Sequence, residues 1–323
     1  MKNFRFFINV SFFVFAVFSC SSESVLQEII GKNREPPVFL GCQPLSSTEI
    51  KFRFSHSVRV LSLAFNPPLE TESIGDGDEV IISFTRPLDE GMKITADIIV
   101  ENADRNTLNV IVPFRARNDR MPVMVFNELR TEYSRPRAEF VEFFVLEPGN
   151  LGALRLFIAS NSLTKPVYEF APTEVGRGEY IVLHLRTVEE GTVDETGSDL
   201  SLSGGSEARN DARDLWVPGT SKLLRRNDAL WIVDQDDRII DAVLLSENPT
   251  APWSNNNVAE AAEFLVRANA WTLPAVNTTG TTNTRTINRD ESLTPERRAE
   301  NWYVTATSSH TPGRANSTRR HGQ

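Results

Sequence analysis

The chain has 323 residues, with 34 Lys plus Arg against 43 Asp plus Glu (net charge −9), 2 Cys, 4 His and 20 Phe. This length suits two domains of roughly 100–200 residues each and buries a core without disulfides. The acidic balance argues against nucleic acid as a partner, since phosphates demand a clustered basic surface. Two cysteines and four scattered histidines exclude a Cys-rich or His-based metal centre, and no cofactor site is expected.

In chain order the first element is a leader. Seven of the Phe fall within residues 1–20, forming with their neighbours an apolar run behind Lys2 and Arg5 and ahead of Ser19-Cys20-Ser21-Ser22. The run is short for a membrane span and fits a secretory leader; an ordinary signal peptide cut nearby and an uncleaved N-terminal anchor stay open. Val17-Phe18-Ser19-Cys20 resembles a bacterial lipobox. The resemblance implies cleavage between Ser19 and Cys20, lipid attachment to the Cys20 sulfur, and a lipid bilayer as first partner. Ser21 after that Cys implies an outer-membrane address, on its periplasmic or surface face.

Residues 20–48 are polar, carry Pro36, Pro37 and Pro44, and read as a tether in which Cys42 is a bystander. Period-2 alternation punctuated by Gly, Pro, Asn and Asp then marks an all-β chain. Strands are expected over 58–65, 79–84, 93–101 and 107–113, a small Ig-like module across 49–118. The run 78–88 (DEVIISFTRPL) resembles a strand of bacterial Ig-like modules. A second series is expected over 123–127, 139–146, 153–159, 167–170, 180–185, 229–233, 238–245 and 302–307. Residues 188–214 are acidic and Gly/Ser-rich and read as a long mobile loop. One short inserted helix is expected over 258–271, capped by Asn255, Asn256 or Asn257, with Val258, Ala261, Ala262, Leu265 and Ala268 at helical spacing.

Six pieces of this half, in order, resemble the lamin tail domain, an Ig-like β-sandwich. They are Val125-Phe126-Asn127-Glu128-Leu129; Glu139-Phe140-Val141-Glu142-Phe143; Leu151 with Leu154-Arg155-Leu156; residues 175–183; residues 227–241 (NDALWIVDQDDRIID); and Thr311-Pro312-Gly313-Arg314-Ala315-Asn316. Phe140 stands where that family usually has Trp, and Arg238 where it often has Gly. The resemblance implies a sandwich over 119–316 with insertions near 187–220 and 250–295, then a disordered tail over 317–323.

Catalytic chemistry has little purchase. Glu139 and Glu142 fall on opposite faces of a strand, so with Glu128 they read as structural or solvated groups rather than an acid/base or metal cluster. The acidic turns at 76–79 and 234–237 lack the ligand spacing of a calcium loop. His184 has no nucleophile motif near it, and no phosphate, metalloprotease or dinucleotide fingerprint occurs. Arg225-Arg226 and the tail residues Arg314, Arg319, Arg320 and His321 read as solubilising. Trp271 and Trp302 are further aromatic candidates, Trp302 packing in the last strand; Trp253, in a Pro/Asn loop, is a candidate binding surface. The expected function is that of a non-enzymatic, membrane-anchored lipoprotein binding an envelope or extracellular protein or glycan. The alternatives are a hydrolase with its site in the inserted loops and a purely structural envelope component.

Overall fold

The computed structural model describes residues 35–251 and 253–322, so Ser19 and Cys20 lie outside the described residues. The protein is all-β: a small strand module followed by a β-sandwich.

The first module is a single antiparallel sheet built of β1 (Phe39–Pro44), β2 (Glu49–Asn66), β3 (Thr71–Ile74), β4 (Gly77–Phe84), β5 (Lys93–Asn102) and β6 (Thr107–Arg115). β2 has 18 residues and serves two sets of partners. Its first part lies between β1 and β4, and its second part pairs with β5, with register shifts where it changes partner. Strict alternation drives the arrangement. In β5, Ile94, Ala96, Ile98 and Val100 are buried while the residues between them are not. Each large side chain so buried contributes roughly 1.5–3 kcal/mol. The expected tether ends earlier than residue 48, because Phe39 packs on Phe54 with ring centroids 5.8 Å apart and draws β1 onto β2. Cys42 therefore sits in a strand, partly buried, opposite Phe52.

The sandwich has two main sheets. One holds, in order, β14 (Arg213–Trp216), β13 (Tyr180–His184), β8 (Phe140–Glu147), β7 (Val123–Arg130), β18 (Ile287–Arg289) and β19 (Trp302–Val304). The other holds β11 (Tyr168–Glu169), β10 (Arg155–Ile158), β15 (Asp228–Val233), β16 (Ile239–Ser246) and β17 (Val276–Asn277). β9 (Gly149–Asn150) and β12 (Glu174–Val175) form a small ladder beside them. The core between the sheets includes Phe126, Val141, Phe143, Leu183, Leu156 and Ile232. Helix α1 (Asn256–Arg267) packs against β15, burying Val258, Ala261, Ala262 and Leu265. Among the three asparagines, Asn255 is the cap: its Oδ1 accepts the backbone N–H groups of Asn257 at 2.9 Å and Val258 at 3.3 Å.

The modules are docked through the segment between β6 and β7. The buried Asn118 amide donates to the carbonyls of Asn150 at 2.7 Å and Gly152 at 2.8 Å. Gly91 and Gly152 let the two backbones touch, since a Cβ on Gly91 would lie 2.5 Å from the Gly152 carbonyl carbon.

Two further expectations change. Residues 188–214 are held rather than free: Glu195 accepts the Asp214 N–H at 2.8 Å and the Ser203 N–H at 2.9 Å, Arg213 pairs with Glu179 at 2.7 Å, and β14 extends the sheet in parallel to β13. The tail docks too: the His321 N–H donates to Val304 at 2.8 Å, and the Arg320 guanidinium lies 4.4 Å from the Tyr303 ring centroid. Phe140 is buried on the outer face of its sheet, under the Arg130 guanidinium at 4.8 Å, while Val141, Phe143 and Val145 fill the core.

Candidate functional site

The outer face of the β7–β8 pair carries a buried polar clasp. Glu128 and Glu142 lie directly opposite each other on adjacent strands and are fully buried. Glu128 accepts the Thr311 N–H at 3.0 Å and its hydroxyl at 2.8 Å; Glu142 accepts the Gly313 N–H at 2.6 Å and the Asn127 amide at 2.9 Å. The Asn316 amide donates to the Asn127 Oδ1 at 3.1 Å and the Arg289 carbonyl at 2.8 Å, and its own Oδ1 accepts from Asn288 at 2.7 Å. Gly313 has φ 75° and lies against Ala212 and Arg209, where a Cβ would come within 2.7 Å of both, so the turn admits only Gly. Desolvation pushes the carboxyl of Glu142 well up, with the neighbouring Glu128 charge adding to it, and desolvation likewise raises Glu128. Three of the four carboxylate oxygens thus hold the closing segment, and the fourth takes the Asn127 amide of β7.

The remaining sequence candidates are similarly engaged. Glu139 is buried on the partner guanidinium of Arg186, apart from Glu128 and Glu142. His184 Nε2 meets Asp214 Oδ1 at 2.7 Å, but the ring is buried and Trp216 stacks on it with centroids 3.8 Å apart, which seals it from substrate. In the acidic turns, Glu79 pairs with Lys51 at 3.0 Å, Asp236 with Arg117 at 3.2 Å and Asp237 with Arg155 at 2.8 Å. Asp234 Oδ1 accepts the N–H groups of Asp236 and Arg238 in the manner of an Asx turn. Trp271 is buried and donates to the Pro274 carbonyl at 3.0 Å, and Trp302 lies 4.7 Å from the Arg289 guanidinium.

Trp253 stands apart. It follows β16, its indole N–H donates to the Leu245 carbonyl at 3.1 Å, and its partly buried ring separates two cavities. On one side lies a polar pocket of about 570 Å³, walled by Glu132, Lys222, Arg226, Asn227, Glu247 and Trp253. On the other, an apolar groove of about 390 Å³ runs along α1 past Ala262, Val266 and Leu273. The polar wall is prearranged: Glu132 pairs with Lys222 at 3.3 Å, Glu247 with Arg226 at 3.1 Å, and the Asn227 amide donates to Glu247 at 2.9 Å. Arg226 is therefore a member of this wall rather than a solubilising charge, and it also donates to the Thr281 carbonyl at 3.0 Å. Trp253 and Arg226 were visible in the sequence; Glu132 and Glu247 gave no signal there, because only the fold brings both of them onto Arg226.

Fold and site together define an all-β protein whose second module is a sandwich with an open, Trp-flanked polar pocket. Residues 122–304 match the family model described as "TP_1001_2nd: protein second domain", and the chain belongs to that family. The matched segment contains the pocket and stops before the closing piece of the clasp. A protein of Treponema pallidum (strain Nichols), described as "Uncharacterized protein", is 28% identical over 169 residues, covering 50% of this chain and 43% of that one. The match thus spans under half the length of that relative. Among solved structures, the N-terminal part of the bacterial S-layer protein SbsC aligns with 69% of this chain and 47% of its own at 10% identity and TM-score 0.26. A DUF4876 family protein from Bacteroides thetaiotaomicron VPI-5482 aligns with 83% of this chain and 92% of its own at 12% identity and TM-score 0.30.

Proposed function

We propose that the protein is a non-enzymatic lipoprotein of the cell envelope, anchored through Cys20 in the outer membrane and binding a glycan in the Trp253 pocket. One observation carries the binding half: an indole beside a polar cavity of about 570 Å³ whose carboxylates, amide and guanidinium are already oriented by one another. An aromatic ring offers its apolar body to the C–H face of a sugar, while charged and amide groups on the facing wall bond its hydroxyls. Prior orientation of that wall lowers the ordering cost of binding. The anchoring half rests on the leader and the lipobox-like Val17–Cys20, and the lamin-tail-like reading of the sandwich accompanies it. Two or three acyl chains, at about 0.8 kcal/mol per buried methylene, hold a protein firmly at a bilayer.

The test uses the full chain in detergent micelles and its retention on immobilised envelope glycans. Trp253→Ala is expected to abolish retention and Glu247→Gln to weaken it, with unchanged far-UV circular dichroism. Equal retention by wild type and Trp253→Ala sinks the assignment. For the anchor, a palmitate analogue should label wild type and leave Cys20→Ala unlabelled.

A further inference from the structure

A further cavity, of about 410 Å³, opens where the 135–137 turn, residues 206–209 and the closing segment converge. Three arginines line it, Arg137, Arg209 and Arg314, with His310, Ser206 and Glu207. Their carboxylate partners do not match them in number. Glu207 is taken by the fully buried Arg130, which grips both its oxygens, one at 3.0 Å, and it stands 3.7 Å from His310 Nε2. Arg209 is held by Asp211 at 2.9 Å. Among the described residues neither Arg137 nor Arg314 has a carboxylate within ion-pair distance, although the Arg314 charge is felt by the Asp211 carboxyl that Arg209 already holds, and the two share one cavity in a chain whose net charge is −9.

The cleft between the two modules gives the contrast. It too is lined by three arginines, yet there Arg117 faces Asp236 at 3.2 Å, Arg155 faces Asp237 at 2.8 Å, and Arg115 is bonded to Glu169. In that cleft each arginine has its own carboxylate, whereas around the Arg137–Arg314 cavity Glu207 and Asp211 are already paired with Arg130 and Arg209, so guanidinium charge is in excess. The backbone that carries the pair is fixed: Arg314 leaves the Gly313 turn bonded to Glu142, and Arg137 lies in a turn closed by reciprocal backbone hydrogen bonds with Ser134, at 2.7 Å and 3.0 Å. Planar guanidinium forks match tetrahedral oxyanions in geometry as well as charge.

We infer that this cavity binds a phosphate group, with Arg137 and Arg314 as its principal ligands and the Ser206 hydroxyl at its rim. The same chemistry is presented by a soluble phosphate ester and by an anionic lipid headgroup, and the site is independent of the Trp253 pocket.

The experiment follows thermal unfolding of the full chain in non-ionic detergent micelles at constant ionic strength, titrating inorganic phosphate against chloride, with and without phosphatidylglycerol in the micelles. Wild type is expected to gain stability saturably with phosphate alone. In Arg137→Gln/Arg314→Gln the half-saturating concentration should rise at least about tenfold, as loss of charge-assisted hydrogen bonds dictates. Should the double variant fold poorly, Arg314→Gln alone, at an exposed position, should shift the curve in the same direction. A phosphate response abolished by phosphatidylglycerol assigns the site to a lipid headgroup; one left unchanged assigns it to a soluble ester. Absence of a saturable response in wild type, or the same half-saturation in the variants, overturns the proposal.

Discussion

The clasp on Glu128 and Glu142 and the pocket beside Trp253 use the same side-chain types to opposite ends. In the clasp, Glu128, Glu142, Asn127 and Asn288 are buried and Asn316 is half-buried, and each accepts or donates within the fold, so their polarity is consumed in fixing where the chain closes. In the pocket, Lys222 and Glu132 keep 41% and 26% of their side-chain surface exposed, and their mutual bonds leave further donors and acceptors facing the cavity. Burial therefore separates the two roles: a group that has lost its water must be satisfied by the protein, whereas one still wet is available to a ligand.

Four measurements sharpen or break this contrast. The largest effect is expected just behind the clasp, where Asp241 Oδ2 holds Arg289 at 2.8 Å and accepts the Phe126 N–H at 2.9 Å, with both side chains almost wholly buried. Asp241→Ala strands a buried guanidinium and should cost about 3–5 kcal/mol in urea unfolding. Asn316→Ala removes the amide joining strands β7 and β18 to the closing segment. It should cost about 1–3 kcal/mol and raise hydrogen exchange at residues 311–316 selectively.

Glu142 supplies the pH dependence. Its folded-state carboxyl is raised by burial above the unfolded value of about 4.3, so above that pH the unfolded chain releases a proton that the folded chain retains. Stability present below about pH 4.3 is thus lost as pH rises, at no more than about 1.4 kcal/mol per pH unit for one proton. Glu142→Gln keeps an acceptor for the Gly313 N–H and should flatten that slope; an unaltered slope would show that Glu142 stays ionised in the fold. The smallest effect belongs to the pocket: Lys222→Ala breaks an exposed pair and should change stability by less than about 1 kcal/mol. A cost matching that of Asn316→Ala would erase the distinction between the two regions.

Much of this architecture was legible in the sequence. The strands of 93–101, 107–113, 180–185 and 238–245 carry clean alternation or apolar runs, and the helix announces itself through Asn255 and its apolar stripe. β14 and β18 were not legible, since RDLW and INR have no period to read; Arg213, Asn288 and Arg289 lie in strands because partners far along the chain satisfy them. The same limit applied to Glu128 and Glu142. Their opposition depends on the β7–β8 register, and that register shifts between Phe126 and Glu128, which the spacing of the glutamates does not disclose.

What the sequence determined by itself was the local physics: an all-β chain, its turns, its capped helix and its acidic balance of charge. What only the tertiary structure decided was which polar residues are consumed and which stay available. Thr311–Asn316 became a clasp because β7 and β8 present two carboxylates to its backbone, and Glu132 and Glu247 became one wall because the sandwich brings distant loops to the same end. Alternation and capping act within a few residues, whereas desolvation and pairing depend on neighbours that only the folded chain provides.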